Sequence, residues 1–186
     1  ESIEIRAAAF PWQHVRRVGE DIVAGEMVLP HHHRLSAVDL AALLTAGVFR
    51  LRVLGRPRVA IVPTGSELLD WQEAERSPLE PGRIIESNAI LLGNLVREAG
   101  GEAVVLPRQP DRFEAIRTAV DEALTSDAHL VVINAGASAG TEDYTIHVLS
   151  DLGQVLVHGI TAMPGKPTIL GEARDKPIVG SPGYPV

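Results

Sequence analysis

The chain has no cysteine, which excludes disulfides and thiolate-ligated metal sites. Aromatic residues make up only 4% of it, and Trp12, Trp71, Tyr144 and Tyr184 are too scattered to form a base-stacking platform. Positive charge is also short. The 17 Lys and Arg against 24 Asp and Glu leave a net charge of −7, which excludes a general nucleic-acid or anionic-membrane surface but not a local site for a small anion. No apolar run approaches the roughly 18 residues of a membrane span, and no signal-peptide pattern opens the chain. A soluble, cytoplasmic protein with neither nucleic-acid nor membrane partners is the expectation.

What is present is an ordinary globular balance, 45% hydrophobic over 186 residues, enough for one full core and a small appended unit. The chain starts at Glu1 without Met and stops at "GSPGYPV", just after a loop signature, so a piece of a longer protein is expected.

Composition shifts near Arg56. Before it, residues 1–10 partly alternate as a strand does, and Gly and Pro punctuate short apolar pieces from residue 11 to 35. "SAVDLAALLTAGV" reads as a helix capped by Ser36 with Asp39 nearby, striped by Leu40, Leu43 and Leu44 and stopped by Gly47. Residues 1–55 are therefore expected to be a small β-rich segment with one helix.

Residues 56–186 alternate strand and helix. "PRVAIVP", "EAVVLP", "HLVVI" and "QVLVHGI" read as strands, with "PTILG" and "KPIVGS" as short additions. Between them, "SNAILLGNLVREAGG" predicts a helix with Ile90, Leu91, Leu95 and Ala99 inward. "DRFEAIRTAVDEAL" predicts one with Phe113, Ile116, Val120 and Leu124 inward, and "DYTIHVLSDLG" predicts a third. Near-continuous apolar strands in such alternation imply an α/β fold, a mostly parallel sheet with helices on both faces. Ligands of such sheets sit beyond the carboxyl ends of the strands, near a switch in strand order.

The loops at those ends carry the chemistry. "NAGASAGTEDYT" strips itself to Gly, Ala and Ser after a strand and then presents Glu142 and Asp143. Gly136, Ser138 and Gly140 let a ligand approach the backbone, whose free amides attract anions; alternatively they only turn the chain, with Thr141 or Asp143 capping a helix. "PTGSELL" places Thr64, Gly65, Ser66 and Glu67 after the first strand. "IIESNAI" puts Glu86, Ser87 and Asn88 at a helix start, where Ser87 reads first as a plain cap. Asp111 with Glu114 has capping-box spacing. Lys166 lies in "AMPGKPTILG", and Pro182 and Pro185 lie in "GSPGYPV". Hard oxygens such as Glu67 and Asp143 suit Mg²⁺, and Lys166 with backbone amides suits oxyanions, so together they read as a phosphate-plus-metal pocket.

Seven stretches in order, "VRRVGEDIVAGEMVLP", "RVAIVPTGSELL", "IIESNAILL", "QPDRFEAIRTAV", "VVINAGASAGTEDYT", "MPGKPTILG" and "GSPGYPV", resemble the molybdopterin molybdotransferase family, the MoeA type whose animal counterpart is the gephyrin E domain. The resemblance covers residues 15–186. It implies a three-layer α/β/α molybdopterin-binding domain. The implied activity is insertion of molybdate into adenylylated molybdopterin with Mg²⁺ and release of AMP. It also implies a site completed across a homodimer, in chains that are longer and carry a C-terminal β domain. By position it implies catalytic roles for Glu67, Asp111, Asp143 and Lys166, with Glu67 and Asp143 as metal ligands. Thr64, Gly65, Ser66, Asn88, Gly136, Ser138, Gly140, Pro182 and Pro185 would bind the pterin substrate.

Departures from the family pattern point to a second possibility. Met163 stands where the first lysine of the Lys-Pro-Gly-Lys-Pro loop is common, Ala135 replaces a glycine, Ala137 and Ala139 replace valines, and Tyr184 replaces an asparagine. A molybdopterin-binding sensor or regulatory module without catalysis would tolerate them. A pterin adenylyltransferase shares the fold, but the resemblance of the first segment is to the molybdotransferases. "HHH" at 31–33 reads as a surface turn, since adjacent residues on a strand cannot all face one ion.

Overall fold

The computed structural model describes residues 2–4, 6–76, 78–134, 144–163 and 165–183. They fall into two units, 1–54 and 55–186.

In the first unit the regular element among the described residues is α1 (Ala37–Thr45). Its capping box forms as the sequence predicts: the Asp39 amide donates to Ser36 Oγ at 3.3 Å and the Ser36 amide donates to Asp39 Oδ2 at 2.7 Å. His33 Nε2 lies 3.0 Å from the same carboxylate oxygen, and His31 and His32 sit in an exposed turn. Of the expected stripe, Leu43 is buried while Leu40 and Leu44 are exposed.

Hydrogen bonding with the Ser36 side chain, then with its backbone N–H, then with His33, holds the Asp39 carboxyl at about 2, down from 3.8. A depressed folded-state value means the cap is fully in place above pH 3.8 and is lost as pH falls through about 2. The Ser36 amide proton, followed by NMR, should therefore titrate near pH 2; a midpoint near 3.8 would show that the box does not form in solution.

The β-structure expected before residue 36 does not appear among the described residues. The backbone there runs through turns, such as the Gln13 amide donating to the Phe10 carbonyl and the Glu20 amide to that of Arg17. A strand exists only where a second stretch satisfies its backbone groups, and the Gly- and Pro-punctuated pieces pair with nothing described.

The second unit carries the sheet. In chain order its elements are β1 (Arg58–Pro63), β2 (Leu68–Leu69), α2 (Trp71–Arg76), β3 (Ile84–Ile85), α3 (Asn88–Glu98), β4 (Glu102–Val105), α4 (Phe113–Thr125), β5 (Leu130–Asn134), α5 (Tyr144–Leu152), β6 (Gln154–His158), β7 (Ile169–Ala173) and β8 (Lys176–Ser181). Six strands form one sheet in the order β4-β1-β5-β8-β7-β6, and β2 and β3 pair in parallel beside it. β4, β1, β5 and β8 are parallel; β7 runs antiparallel to both its neighbours, which leaves β6 pointing the same way as β8.

Strand pleating explains the three layers. Val59 and Ile61 of β1 and Val132 of β5 point to one face, where Ala89, Leu92 and Val96 of α3 cover them. Ala60, Val62, Val131 and Ile133 point to the other, onto Ile116, Val120 and Leu124 of α4 and Val148 and Leu149 of α5. Both faces of β1 and β5 are thus dry, and each large aliphatic side chain contributes about 1.5–3 kcal/mol. The face predicted for α4 is the buried one.

On α3 the expected face is reversed. Ala89, Leu92, Gly93 and Val96 pack on the sheet, while Ile90, Leu91 and Leu95 are exposed. The inward face mixes small and branched residues, Ala89 and Gly93 with Leu92 and Val96, and Gly93 lies against Ala103 of β4. Among the described residues no helix is long and apolar enough to cross a membrane.

Candidate functional site

Strand order reverses around β1: the chain goes from β1 to β4 on one side, then crosses to β5 on the other. The carboxyl ends of β1 and β5 are joined at this switch. The Thr64 amide (2.8 Å) and Thr64 Oγ1 (3.1 Å) both donate to the Asn134 carbonyl, and Thr64 is buried. Thr64 thus spends its hydroxyl proton on the fold.

On the other side of β1 the chain entering α4 extends the ladder. Thr64 bridges Gln109 in parallel, the Gly65 amide donates to the Gln109 carbonyl at 3.0 Å, and the Gln109 amide donates to the Pro63 carbonyl. Next, Ser66 and Asp111 clasp each other: the Ser66 amide donates to Asp111 Oδ2 at 2.9 Å, and the Asp111 amide donates to Ser66 Oγ at 3.0 Å. The capping box expected of Asp111 is therefore absent. Arg112 is the N-cap of α4 and makes no side-chain cap bond, since a guanidinium offers no acceptor, while Asp111 Oδ2 accepts from the neighbouring loop.

The clasp aims the loop. Gly65 holds φ +149°, and a Cβ there would meet Leu68 Cγ at 2.7 Å and Glu67 Oε2 at 3.1 Å. Glu67 follows, half-buried, its backbone carbonyl accepting the Ile84 amide. Its carboxylate has no hydrogen bond or ion pair among the described residues, so it is available to a ligand. Arg83 Nη1 donates to the Ser66 carbonyl at 2.8 Å.

α3 adds a third wall. Asn88 Nδ2 donates to Asn134 Oδ1 at 3.3 Å and to the Gly183 carbonyl at 2.9 Å, tying α3, β5 and the loop after β8 together. Half-buried Pro182 lies in that loop. Ser87, expected to cap α3, makes no cap bond; Glu86 Oε1 accepts the Ala89 amide instead. Thr64, Gly65, Ser66, Glu67, Asn88, Asp111 and Pro182 therefore share the carboxyl edge of the central strands. Gly136, Ser138, Gly140, Asp143 and Pro185, with Ala135, Ala137, Ala139 and Tyr184, lie outside the described residues.

Lys166 is on the same edge but at its far end, in the loop after β6. There His158, Gly159, Ile160, Thr161, Lys166 and Pro167 line an open concavity of about 490 Å³. Four strand steps separate β6 from β1, about 19 Å at the usual spacing. One rim thus carries Glu67 and Lys166 without bringing them into contact.

Sequence reasoning missed Asn134, Gln109, Glu86 as a cap, and Arg83. Asn134 left one signal: a lone amide closing the apolar run "LVVI" in a buried strand must find partners. Among the described residues no three His, Asp or Glu converge as a metal site.

Comparison with known proteins bears on this geometry. Residues 60–186 match the family model described as "Probable molybdopterin binding domain", and residues 1–47 match "MoeA N-terminal region (domain I and II)". The chain is 34% identical over its full length to molybdopterin molybdenumtransferase 2 of Mycobacterium tuberculosis, of which it covers 46%. It is 33% identical, over 95% of its length, to the molybdopterin molybdenumtransferase of Haemophilus influenzae, of which it covers 42%. The crystal structure of a molybdopterin biosynthesis MoeA protein from Pyrococcus horikoshii superposes with a TM-score of 0.79 at 33% identity, covering all of this chain and 46% of that one. The chain thus spans about half the length of the relatives it matches.

Proposed function

Since the chain belongs to the probable molybdopterin binding domain family, we propose that its strand-end rim binds adenylylated molybdopterin, and that the intact protein inserts molybdate into it with release of AMP. This is a step of molybdenum cofactor biosynthesis. The observation that carries the proposal is the clasped switch point, where Ser66 and Asp111 hold their two loops together beside a half-buried Glu67 carboxylate with no partner among the described residues.

Each residue has a physical role in this scheme. Thr64, Ser66, Asp111 and Asn88 hold the loops in register, so Asp111 acts by fixing Ser66. Gly65 keeps the loop backbone open to the ligand. Lys166, with the amides of the 136–140 segment, neutralises phosphate oxygens as the phosphoanhydride bond breaks and charge builds on the departing AMP. For Glu67 and Lys166 to serve the same diphosphate, their side-chain reach and a bound ion must bridge the strand steps between them. Pro182 and Pro185 fix the loop that closes on the pterin.

The donor set also fits Mg²⁺. That ion keeps most of its waters and leans on substrate phosphates, so one or two carboxylates suffice. Glu67 offers one free hard-oxygen ligand, and Asp143 would be the second. Bound there, the ion would screen phosphate charge. The outward Ile90, Leu91 and Leu95 on α3 support self-association of the intact protein as a homodimer, and a cytoplasmic location accords with a small-molecule substrate.

Supplying the intact protein with adenylylated molybdopterin, Mg²⁺ and molybdate should release AMP in proportion to molybdate inserted. A folded preparation that binds the pterin and releases none would leave the second possibility, a sensor module. Met163 favours that alternative, since it is 92% exposed where the family pattern commonly has a cation. If Met163→Lys restored AMP release, loss of that cation would be the cause; continued silence would support the sensor.

A further inference from the structure

Arg83 stands apart from the paired arginines of the second unit. It is half-buried, and among the described residues it has no carboxylate partner, whereas Arg58, Arg117 and Arg174 of the same unit each pair with an acid. One bond holds it: Nη1 donates to the Ser66 carbonyl at 2.8 Å. That bond puts the guanidinium against the loop carrying Glu67, with the amide of the next residue, Ile84, donating to the Glu67 carbonyl. A guanidinium presents five donors in a planar fork and stays charged, so a single backbone contact leaves most of its donors unspent. A partly buried guanidinium with spare donors can bind an anion, and planar bidentate donors match phosphate oxygens.

We propose that Arg83 is an oxyanion-binding residue of the rim beside the Glu67 loop, taking a phosphoryl oxygen of the bound ligand. Its Ser66 contact aims it and its remaining donors bind. The inference rests on the proposed pterin site and adds a second cation to it, beside the loop that carries Glu67.

The test uses inorganic pyrophosphate and adenylylated molybdopterin as separate calorimetric titrants, without added metal, at two salt concentrations. Arg83→Gln removes the charge together with most of the donors; Arg83→Lys keeps the charge and loses the fork. Pyrophosphate affinity should fall tenfold or more in Arg83→Gln, with a weaker salt dependence, and should recover partly in Arg83→Lys, with melting temperatures unchanged. Equal pyrophosphate affinity in Arg83→Gln and the unmodified protein would overturn the assignment, as would failure of the unmodified protein to bind pyrophosphate. Tight binding of adenylylated molybdopterin to Arg83→Gln and the unmodified protein alike would overturn Arg83 while leaving the pterin site standing. Absence of pterin binding in the unmodified protein would remove the site itself.

Discussion

Glu67→Gln in the intact protein should slow AMP release on the order of a hundredfold or more, with the fold unchanged. The substitution conserves volume, and the backbone bond from the Ile84 amide to the Glu67 carbonyl does not involve the side chain. No described group relies on the carboxylate, so its charge is not spent on stability. Whether that charge holds a cation against the phosphates or orients water, an amide supplies neither function. Turnover with a matched melting temperature checks this. A variant turning over at the original rate would place the reaction elsewhere.

Gly65→Ala should cost about 1–3 kcal/mol of stability and weaken pterin binding together. Its φ of +149° lies where side chains are strained whatever the space, and the added Cβ would press on the Leu68 side chain at 2.7–2.8 Å. Leu68 can shift, but it is buried in β2, so relief at Gly65 displaces the strand that anchors Glu67. The Gly65 amide would also move from the Gln109 carbonyl, loosening the ladder above the Ser66–Asp111 clasp. Urea midpoints and pterin titration on one preparation should change in step. A stable variant with unaltered affinity would mean that the loop is not held as tightly as its bonds indicate.

The elements most legible in the sequence were those whose burial is two-sided or sharply periodic. β1 and β5 were evident as β-branched runs, and α4 as a stripe with its buried face identified, because simple periodicity decides both. α3 defeated the same logic. Ile90, Leu91 and Leu95 face outward while Ala89, Leu92, Gly93 and Val96 face the sheet, since contact with a sheet depends on fit as well as on hydrophobicity. The first segment failed differently: alternation suggests a strand, but only a partner makes one.

At the site, residue types were legible and their engagements were not. Asp111 looks like a helix cap until its long-range partner Ser66, 45 residues away, is seen. Ser87 looks like a cap until Glu86 takes the bond. Glu67 and Lys166 could be assigned to one rim from strand order alone, but their separation needed the sheet order, which inserts β5, β8 and β7 between them.

The central claim is that ligand lies along the carboxyl edge of this sheet, and amide chemical-shift mapping with adenylylated molybdopterin tests it most directly. Perturbations are expected at Gly65, Ser66, Glu67, Asn88 and Asp111 and again around Lys166. Shifts confined to the opposite edge, at Arg58, His129 and Lys176 where the strands begin, would contradict it.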